Sequence, residues 1–141
     1  MKTYRPTREI LAEIDTILTT KQTPMRTSPL EDVANVLSSG RHYSWVAIYL
    51  AVEVESSRQL LGAGHDPHPG QMASPDTRTK ILISIKLAGR EIGLLDVESE
   101  HDHAFGREDQ VLLENVAHRL ARFLTGPGKY LVRHARLNVG N

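Results

Sequence analysis

The stretch TKILISIKLAGREIGLLDVE, residues 79–98, alternates apolar and polar side chains on both sides of Ala88-Gly89-Arg90. Such alternation predicts two strands, because successive side chains of a strand point to opposite faces of a sheet. The short connection between the two runs predicts that they form a β-hairpin. We expect the rest of the chain to cover this hairpin.

The turn decides which side chains share a face. A two-residue type I′ turn would need a positive φ at Ala88, which alanine disfavours. We therefore expect a type I turn at Leu87-Ala88, followed by Gly89 in a left-handed G1 bulge. A slip of one residue would bury the carboxylate of Asp96 among isoleucines at a cost of several kcal/mol, so chemistry and turn geometry favour the same register.

This register divides the hairpin into an apolar face and a polar face. The apolar face is expected to pack on helices and to carry Ile81, Ile83, Ile85, Gly93, Leu95 and Val97. The polar face is expected to line a small pocket and to carry Lys80, Leu82, Ser84, Lys86, Ile92, Leu94, Asp96 and Glu98. Lys80 should then lie roughly across from Asp96.

The composition limits the classes of function. The 141 residues suffice for one domain with a real core, and 17 Lys plus Arg balance 17 Asp plus Glu. A formal net charge of +0 gives no support for attraction to nucleic acid or to an anionic membrane. The chain has no cysteine, which excludes disulfides and thiol catalysis and fits a reducing compartment. No signal pattern or long apolar run is present, so we expect a soluble, cytoplasmic protein.

Periodicity and capping signals predict the other elements. Apolar spacing predicts amphipathic helices over 7–21, 28–40 and 107–125, with Thr7, Ser28 and Gly106 as their N-caps. Residues 43–52 are predicted to form a central strand on which Trp45, Ala47 and Tyr49 share one face, and 58–62 a short returning strand. Residues 63–78 contain three prolines and two glycines and are predicted to form a loop, and 129–136 a helical turn or an edge strand.

Three stretches carry a family resemblance. YSWVAIYL, residues 43–50, resembles the first core strand of GAF domains of the free methionine-(R)-sulfoxide reductase type. GREIGLLDVES, residues 89–99, is similar to their late hairpin, and FGRED, residues 105–109, to the entry of their last helix. The order of the predicted elements is also that of a GAF domain. The resemblance covers most of residues 28–125.

The resemblance implies a small polar pocket without thiol chemistry. In those reductases a first-strand Trp and Tyr and a late Asp-x-Asp line the pocket, which corresponds here to Trp45, Tyr49, Asp96 and Glu98. The family's pocket glutamate aligns with Lys80, which would neutralise Asp96. The catalytic thiols and the long middle segment that carries them are absent, so thiol-based reduction and cysteine-linked bilin attachment are excluded.

Two interpretations of the polar face stay open at this point. In the first, a small polar ligand binds to the candidate site residues Trp45, Tyr49, Lys80, Ser84, Asp96 and Glu98. In the second, Lys80 and Lys86 pair with the two carboxylates on a solvated sheet face, where each exposed pair contributes only about 0.2–1 kcal/mol. The histidines at 65, 68, 101 and 103 show no convergence of three or four ligands, so we expect neither a metal nor a cofactor.

We therefore predict an α/β chain with a reduced GAF-like fold, in which a central antiparallel β-sheet has the N- and C-terminal helices packed on one face. Residues 1–141 should form one GAF-like domain, with a core of about 28–125, an N-terminal helix and linker at 1–27, and a C-terminal tail at 126–141. The expected role is a non-catalytic sensory or regulatory module. The alternatives are a module that only binds a partner protein and a cysteine-independent enzyme that uses Asp96 and Glu98. A homodimer through the terminal helices is expected, since both apolar stripes are wide.

Overall fold

Three helices and one antiparallel sheet make up the part of the chain that the computed structural model describes, residues 4–20, 28–41, 43–51, 58–62 and 76–133. The helices are α1 (Thr7–Thr19), α2 (Pro29–Gly40) and α3 (Arg107–Leu124). The strands are β1 (Trp45–Ala51), β2 (Arg58–Gly62), β3 (Thr79–Leu87) and β4 (Arg90–Ser99). They form a four-stranded sheet in the order β2-β1-β4-β3, which confirms the predicted hairpin and places β1 beside it.

The pairing of β4 with both neighbours confirms the predicted division into faces. Asp96 lies opposite Ala47 of β1 and Leu82 of β3, and Glu98 lies opposite Trp45 and Lys80. Because directly opposed residues of a sheet share a face, both carboxylates lie on the side of the sheet that carries the Trp45 ring. Lys80 is therefore directly across from Glu98 and diagonal to Asp96.

The predicted turn is wrong, although the register it was meant to explain is right. Leu87 pairs with Arg90, and the two turn residues Ala88 and Gly89 have φ of 53° and 79°, as a two-residue I′ turn requires. The compensating irregularity lies further along the strands, where Ile85 pairs with Gly93 but Lys86 pairs with Glu91. The extra residue of β4 is thus Ile92, which packs with the apolar core and not on the polar face.

The main core lies between the helices and the apolar face of the sheet. The sheet contributes Val46, Ile48, Ile85, Leu95 and Val97, and the helices contribute buried residues that include Ile10, Ile14, Leu30, Val33, Leu37, Leu112, Val116 and Leu120. A smaller cluster on the opposite face contains Ala47, Tyr49 and Leu94, with Trp45 packed against it. The three described helices therefore pack on the apolar face of the sheet, as the sequence predicts.

Backbone contact is closest where β4 meets β1. A Cβ atom added at Gly93 would lie 2.2 Å from the carbonyl oxygen of Tyr49, far inside van der Waals contact. Glycine is required at this position because any larger residue would force the two strands apart.

The helix ends follow the predicted signals in two cases of three. The Ser28 hydroxyl accepts a hydrogen bond from the Leu30 N–H, and the Asp109 carboxylate accepts one from the Gly106 N–H at the start of α3. Thr7 is not a cap, because Pro6 takes that position and the Thr7 hydroxyl accepts from Arg41 instead. Residues 129–133 form a helical turn. Among the described helices, none has the length and apolar character needed to cross a membrane.

The left-handed conformation of Ala88 generates a prediction about stability. Replacing Ala88 with glycine should raise the free energy of unfolding by about 1 kcal/mol, because glycine adopts a positive φ without the penalty that an L side chain meets. Chemical denaturation measures the change. The same replacement at Ala12, an exposed position within α1, should lower it by about 1 kcal/mol. Two changes of the same sign would contradict the assigned turn.

Candidate functional site

Three predicted site residues form one charged cluster on the polar face. The ammonium group of Lys80 lies 3.1 Å from Oδ2 of Asp96 and 3.3 Å from Oε2 of Glu98. Lys80 extends from β3, and both carboxylates belong to β4, where alternation places them on one side. One ammonium group thus faces two carboxylates, and Lys86 takes no part because it lies near the turn, opposite Glu91.

The cluster is buried, which contradicts the interpretation of this face as an ordinary solvated one. Asp96 and Glu98 have no exposed surface, and the side chain of Lys80 is 11 % exposed. Removing charged groups from water costs several kcal/mol for each ion unless partners compensate. The ammonium group of Lys80 contacts both carboxylates, and the Thr77 hydroxyl also contacts Glu98, so these groups compensate part of this cost.

Hydrogen bonding differs between the two carboxylates. Glu98 accepts from the Thr77 hydroxyl at 2.9 Å and from Lys80. Oδ2 of Asp96 lies 3.1 Å from the ammonium group of Lys80, whereas Oδ1 has no hydrogen-bond partner among the described residues. The indole N–H of Trp45 is likewise buried without an acceptor. The polar face therefore holds an unused acceptor oxygen and an unused donor among the described residues.

Burial raises the pKa of Asp96 from its usual value to about 6. The nearby ammonium group of Lys80 opposes this change, whereas the charge of Glu98 adds to it. Loss of hydration is the larger effect, because it disfavours the ionised form of Asp96 by more than the ion pair with Lys80 stabilises that form. Asp96 is therefore the carboxylate that can take up a proton near neutral pH.

Of the other three predicted site residues, Trp45 lies opposite Glu98, whereas Tyr49 and Ser84 lie apart from this cluster. Tyr49 is fully buried in the small apolar cluster, opposite Leu94. Ser84 also lies opposite Leu94, nearer the turn, and its hydroxyl donates to Oε1 of Glu91 at 3.1 Å. The structure thus groups Trp45, Lys80, Asp96 and Glu98 at one end of the sheet and places Ser84 toward the other.

Thr77 belongs to the site, although its position in the predicted loop gave no reason to select it. The chain before β3 continues beside β4, since the Arg78 N–H donates to the Ser99 carbonyl at 2.9 Å. This path brings the Thr77 hydroxyl to Glu98. Thr77 could have been predicted by extending the pairing of the hairpin to the residues that precede Thr79.

A second buried polar network, also missed from the sequence, lies among the helices. The Arg41 guanidinium, only 1 % exposed, donates to Oδ1 of Asp109 at 3.4 Å and to the Thr7 hydroxyl at 3.0 Å. The Tyr43 hydroxyl donates to the same Asp109 oxygen at 2.5 Å. Burial, together with this carboxylate, raises the pKa of Tyr43. The network ties the chain before α1 to the start of α3.

No metal site is formed within the described segments, where no group of three His, Asp or Glu side chains converges. His101 and His103 are exposed on the connection after β4. His65 and His68 lie outside the described residues, as does most of the predicted loop 63–78.

Comparison with known proteins finds structural likeness alone. No family model matches the sequence, and no curated protein matches it. The free methionine-R-sulfoxide reductase of Neisseria meningitidis, solved with its substrate, is 21 % identical with a TM-score of 0.69, covering 96 % of this chain and 99 % of that one. The Staphylococcus aureus enzyme in its reduced form is 16 % identical with a TM-score of 0.65, covering 88 % and 99 %.

A GAF domain from a different kind of protein is similar in structure as well. The GAF domain of a phosphoenolpyruvate-protein phosphotransferase from Coxiella burnetii is 14 % identical with a TM-score of 0.61, covering 96 % of this chain and 97 % of that one. The chain therefore has a GAF-like α/β fold and resembles the free methionine-(R)-sulfoxide reductases in structure. It has no cysteine.

The raised pKa of Asp96 generates a prediction about pH. Since the pKa in the folded state exceeds that of the unfolded chain, the contribution of Asp96 is most favourable below pH 4 and is lost as the pH rises through about 6. Asp96→Asn should remove this loss, so its stability relative to the wild type should increase by roughly 2–3 kcal/mol between pH 4 and pH 7.

Urea denaturation at several pH values measures this difference. Asp102→Asn is the control, because Asp102 is exposed and pairs only with exposed Arg78. Its stability relative to the wild type should change by less than about 0.5 kcal/mol over the same range. Equal pH profiles for the two variants would show that Asp96 is not protonated in the folded state.

Proposed function

We propose that the chain is a non-catalytic, GAF-type sensory or regulatory module that binds a small polar ligand on the polar sheet face beside Trp45 and Asp96. The observation that carries this proposal is that two buried groups, Oδ1 of Asp96 and the indole N–H of Trp45, have no hydrogen-bond partner among the described residues. Each such group costs about 1–3 kcal/mol when it is left unsatisfied. A ligand that satisfies both would recover this energy on binding.

The chemistry of the two groups defines the ligand. Asp96 offers a buried carboxylate oxygen as an acceptor, and a carboxylate favours a cationic donor such as an ammonium group. The Trp45 N–H requires an acceptor oxygen. A small molecule with both an ammonium group and an oxygen acceptor, such as an amino acid or its sulfoxide, fits this pair of requirements.

The structural neighbours support a ligand of this kind without extending their chemistry to this chain. The free methionine-R-sulfoxide reductase of Neisseria meningitidis has a similar fold and was solved in complex with its substrate. Reduction of a sulfoxide by thiols needs cysteines, and this chain supplies none. The proposal therefore concerns recognition of the ligand and not its reduction.

Calorimetric titration of free amino acids and their sulfoxides at pH 7.5 tests the proposal. Asp96→Asn should weaken binding by about tenfold or more, and Trp45→Phe should weaken it about fivefold, because each change removes one polar partner of the ligand. Lys86→Gln, an exposed change on the same face, should leave the affinity within about twofold.

Two outcomes would contradict the proposal. One is an absence of binding heat and of any shift in melting temperature across amino acids, sulfoxides, oxoacids and cyclic nucleotides. The other is a ligand whose affinity is the same in the wild type, Asp96→Asn and Trp45→Phe, since it would bind elsewhere.

The pKa of Asp96 favours a second candidate, a cysteine-independent enzyme. A buried carboxylate with a pKa of about 6 can act as a general acid or base near neutral pH. Mass spectrometry of the bound ligand after incubation separates the two candidates. A sensory module returns the ligand unchanged, whereas an enzyme converts it with a rate that depends on a group titrating near pH 6.

The predicted homodimer remains a prediction. The stripes of α1 and α3 largely serve the core of one chain, with Ile10, Ile14, Leu112 and Leu120 fully buried. Leu11 and Ile17 on α1 are only partly buried and offer apolar surface to a partner helix. Light scattering at micromolar concentration should give twice the chain mass of 15.7 kDa, and Leu11→Glu should reduce it to one chain mass. A monomer mass for the wild type would refute the dimer.

A further inference from the structure

The first turns of α1 and α3 open onto a common groove on the helical side of the molecule, away from the polar sheet face. Its volume is about 670 Å³, within the range of small-molecule sites. The groove is lined by Tyr4, Pro6, Thr7, Arg8, Arg41, Arg107, Glu108 and Val111. None of these belongs to the site around Asp96.

Three arginines give the groove its charge. Arg8 and Arg107 are exposed, and neither has a hydrogen bond or ion pair to another side chain within the described segments. Arg41 is buried and pairs with Asp109. Glu108 is the opposing charge in the lining. The groove therefore presents two uncompensated guanidinium groups against one carboxylate.

Arg41 is held rigidly at the base of this groove and retains hydrogen-bonding capacity. It donates to the Arg5 carbonyl, the Tyr4 hydroxyl, the Thr7 hydroxyl and Asp109, four bonds from the five N–H groups of a guanidinium. Its Cζ atom lies over the Tyr4 ring, 4.1 Å from the ring centroid. One N–H of this buried guanidinium is thus left without an acceptor among the described residues.

Backbone donors add to the same groove. The first-turn N–H groups of a helix have no acceptor within the helix and carry the positive end of its dipole. Thr7 and Arg8 open α1, and Arg107 and Glu108 open α3. Two helix starts and three guanidinium groups around one cavity are an arrangement that recognises phosphate.

The far side of the groove is apolar. Tyr4 is 48 % exposed and Val111 is 45 % exposed, large fractions for such side chains, and Pro6 adds a further apolar side chain to the lining. An inorganic anion would leave this surface uncovered. A phosphate ester with an apolar body would cover it.

From these observations we propose that this groove is a second binding site, specific for a small phosphate monoester. The phosphate group lies on Arg8, Arg107 and the free N–H of Arg41, and the organic part lies on Tyr4 and Val111. The site is independent of the ligand proposed for the sheet face, because the two share no residue.

Titration of phenyl phosphate, followed by amide chemical shifts, tests this proposal. The largest shifts are expected at Thr7, Arg8, Arg107 and Glu108. Arg8→Gln with Arg107→Gln should weaken binding by about tenfold or more, since charge-assisted hydrogen bonds are lost. Arg90→Gln with Arg133→Gln removes the same charge from exposed positions elsewhere and should change affinity less than about twofold.

Inorganic phosphate provides the second arm of the experiment. It should bind at the same amides but at least about threefold more weakly than phenyl phosphate, because it buries no apolar surface. Equal affinities would overturn the organic part of the proposal. Shifts spread over the whole surface, equal losses in the two double variants, or no binding at about 10 mM phenyl phosphate would overturn the site itself.

Discussion

The register between β3 and β4 is the constraint on which the rest of the structure depends. A two-residue turn alone would have paired Ile81 with Asp96 and turned every side chain of β4 to the other face. The extra residue at Ile92 shifts the pairing by one, so that Ile81 meets Val97 and the carboxylates face away from the helices. One irregularity thus produces both an apolar core and a charged cluster.

Alternation and helical periodicity predicted the architecture because both are local properties of the chain. The strands of the hairpin, the buried stripe of α2 and the faces of β1 all follow from residues a few positions apart. The turn at Ala88 could not be predicted this way. The penalty for alanine at positive φ is only about 1–2 kcal/mol, and pairing along nine residues of β3 outweighs it.

The sequence predicted which charged side chains lie together on the polar face, but it did not predict that they are buried. Parity alone placed Asp96 and Glu98 on one face, and the family resemblance placed Trp45 with them, but their burial depends on tertiary packing, which sequence spacing does not reveal. The same reason explains why Arg41 was missed. A buried arginine is recognised only by its partners, and Asp109 lies 68 positions further along the chain. Thr77 was not predicted because its contact with Glu98 depends on strand pairing that continues before the first residue of β3.

The Arg41 network has a consequence for the order in which the chain acquires its structure. The guanidinium links residues before α1 to the first turn of α3, and Arg119 of α3 lies 2.8 Å from Asp15 of α1. Contacts between distant positions slow folding, because the intervening loop must close first. During translation, α1 and α2 emerge before α3 does, so the part of the apolar core that α3 covers stays exposed until α3 has been synthesised. Chaperones that bind exposed apolar helices would meet this chain at that stage.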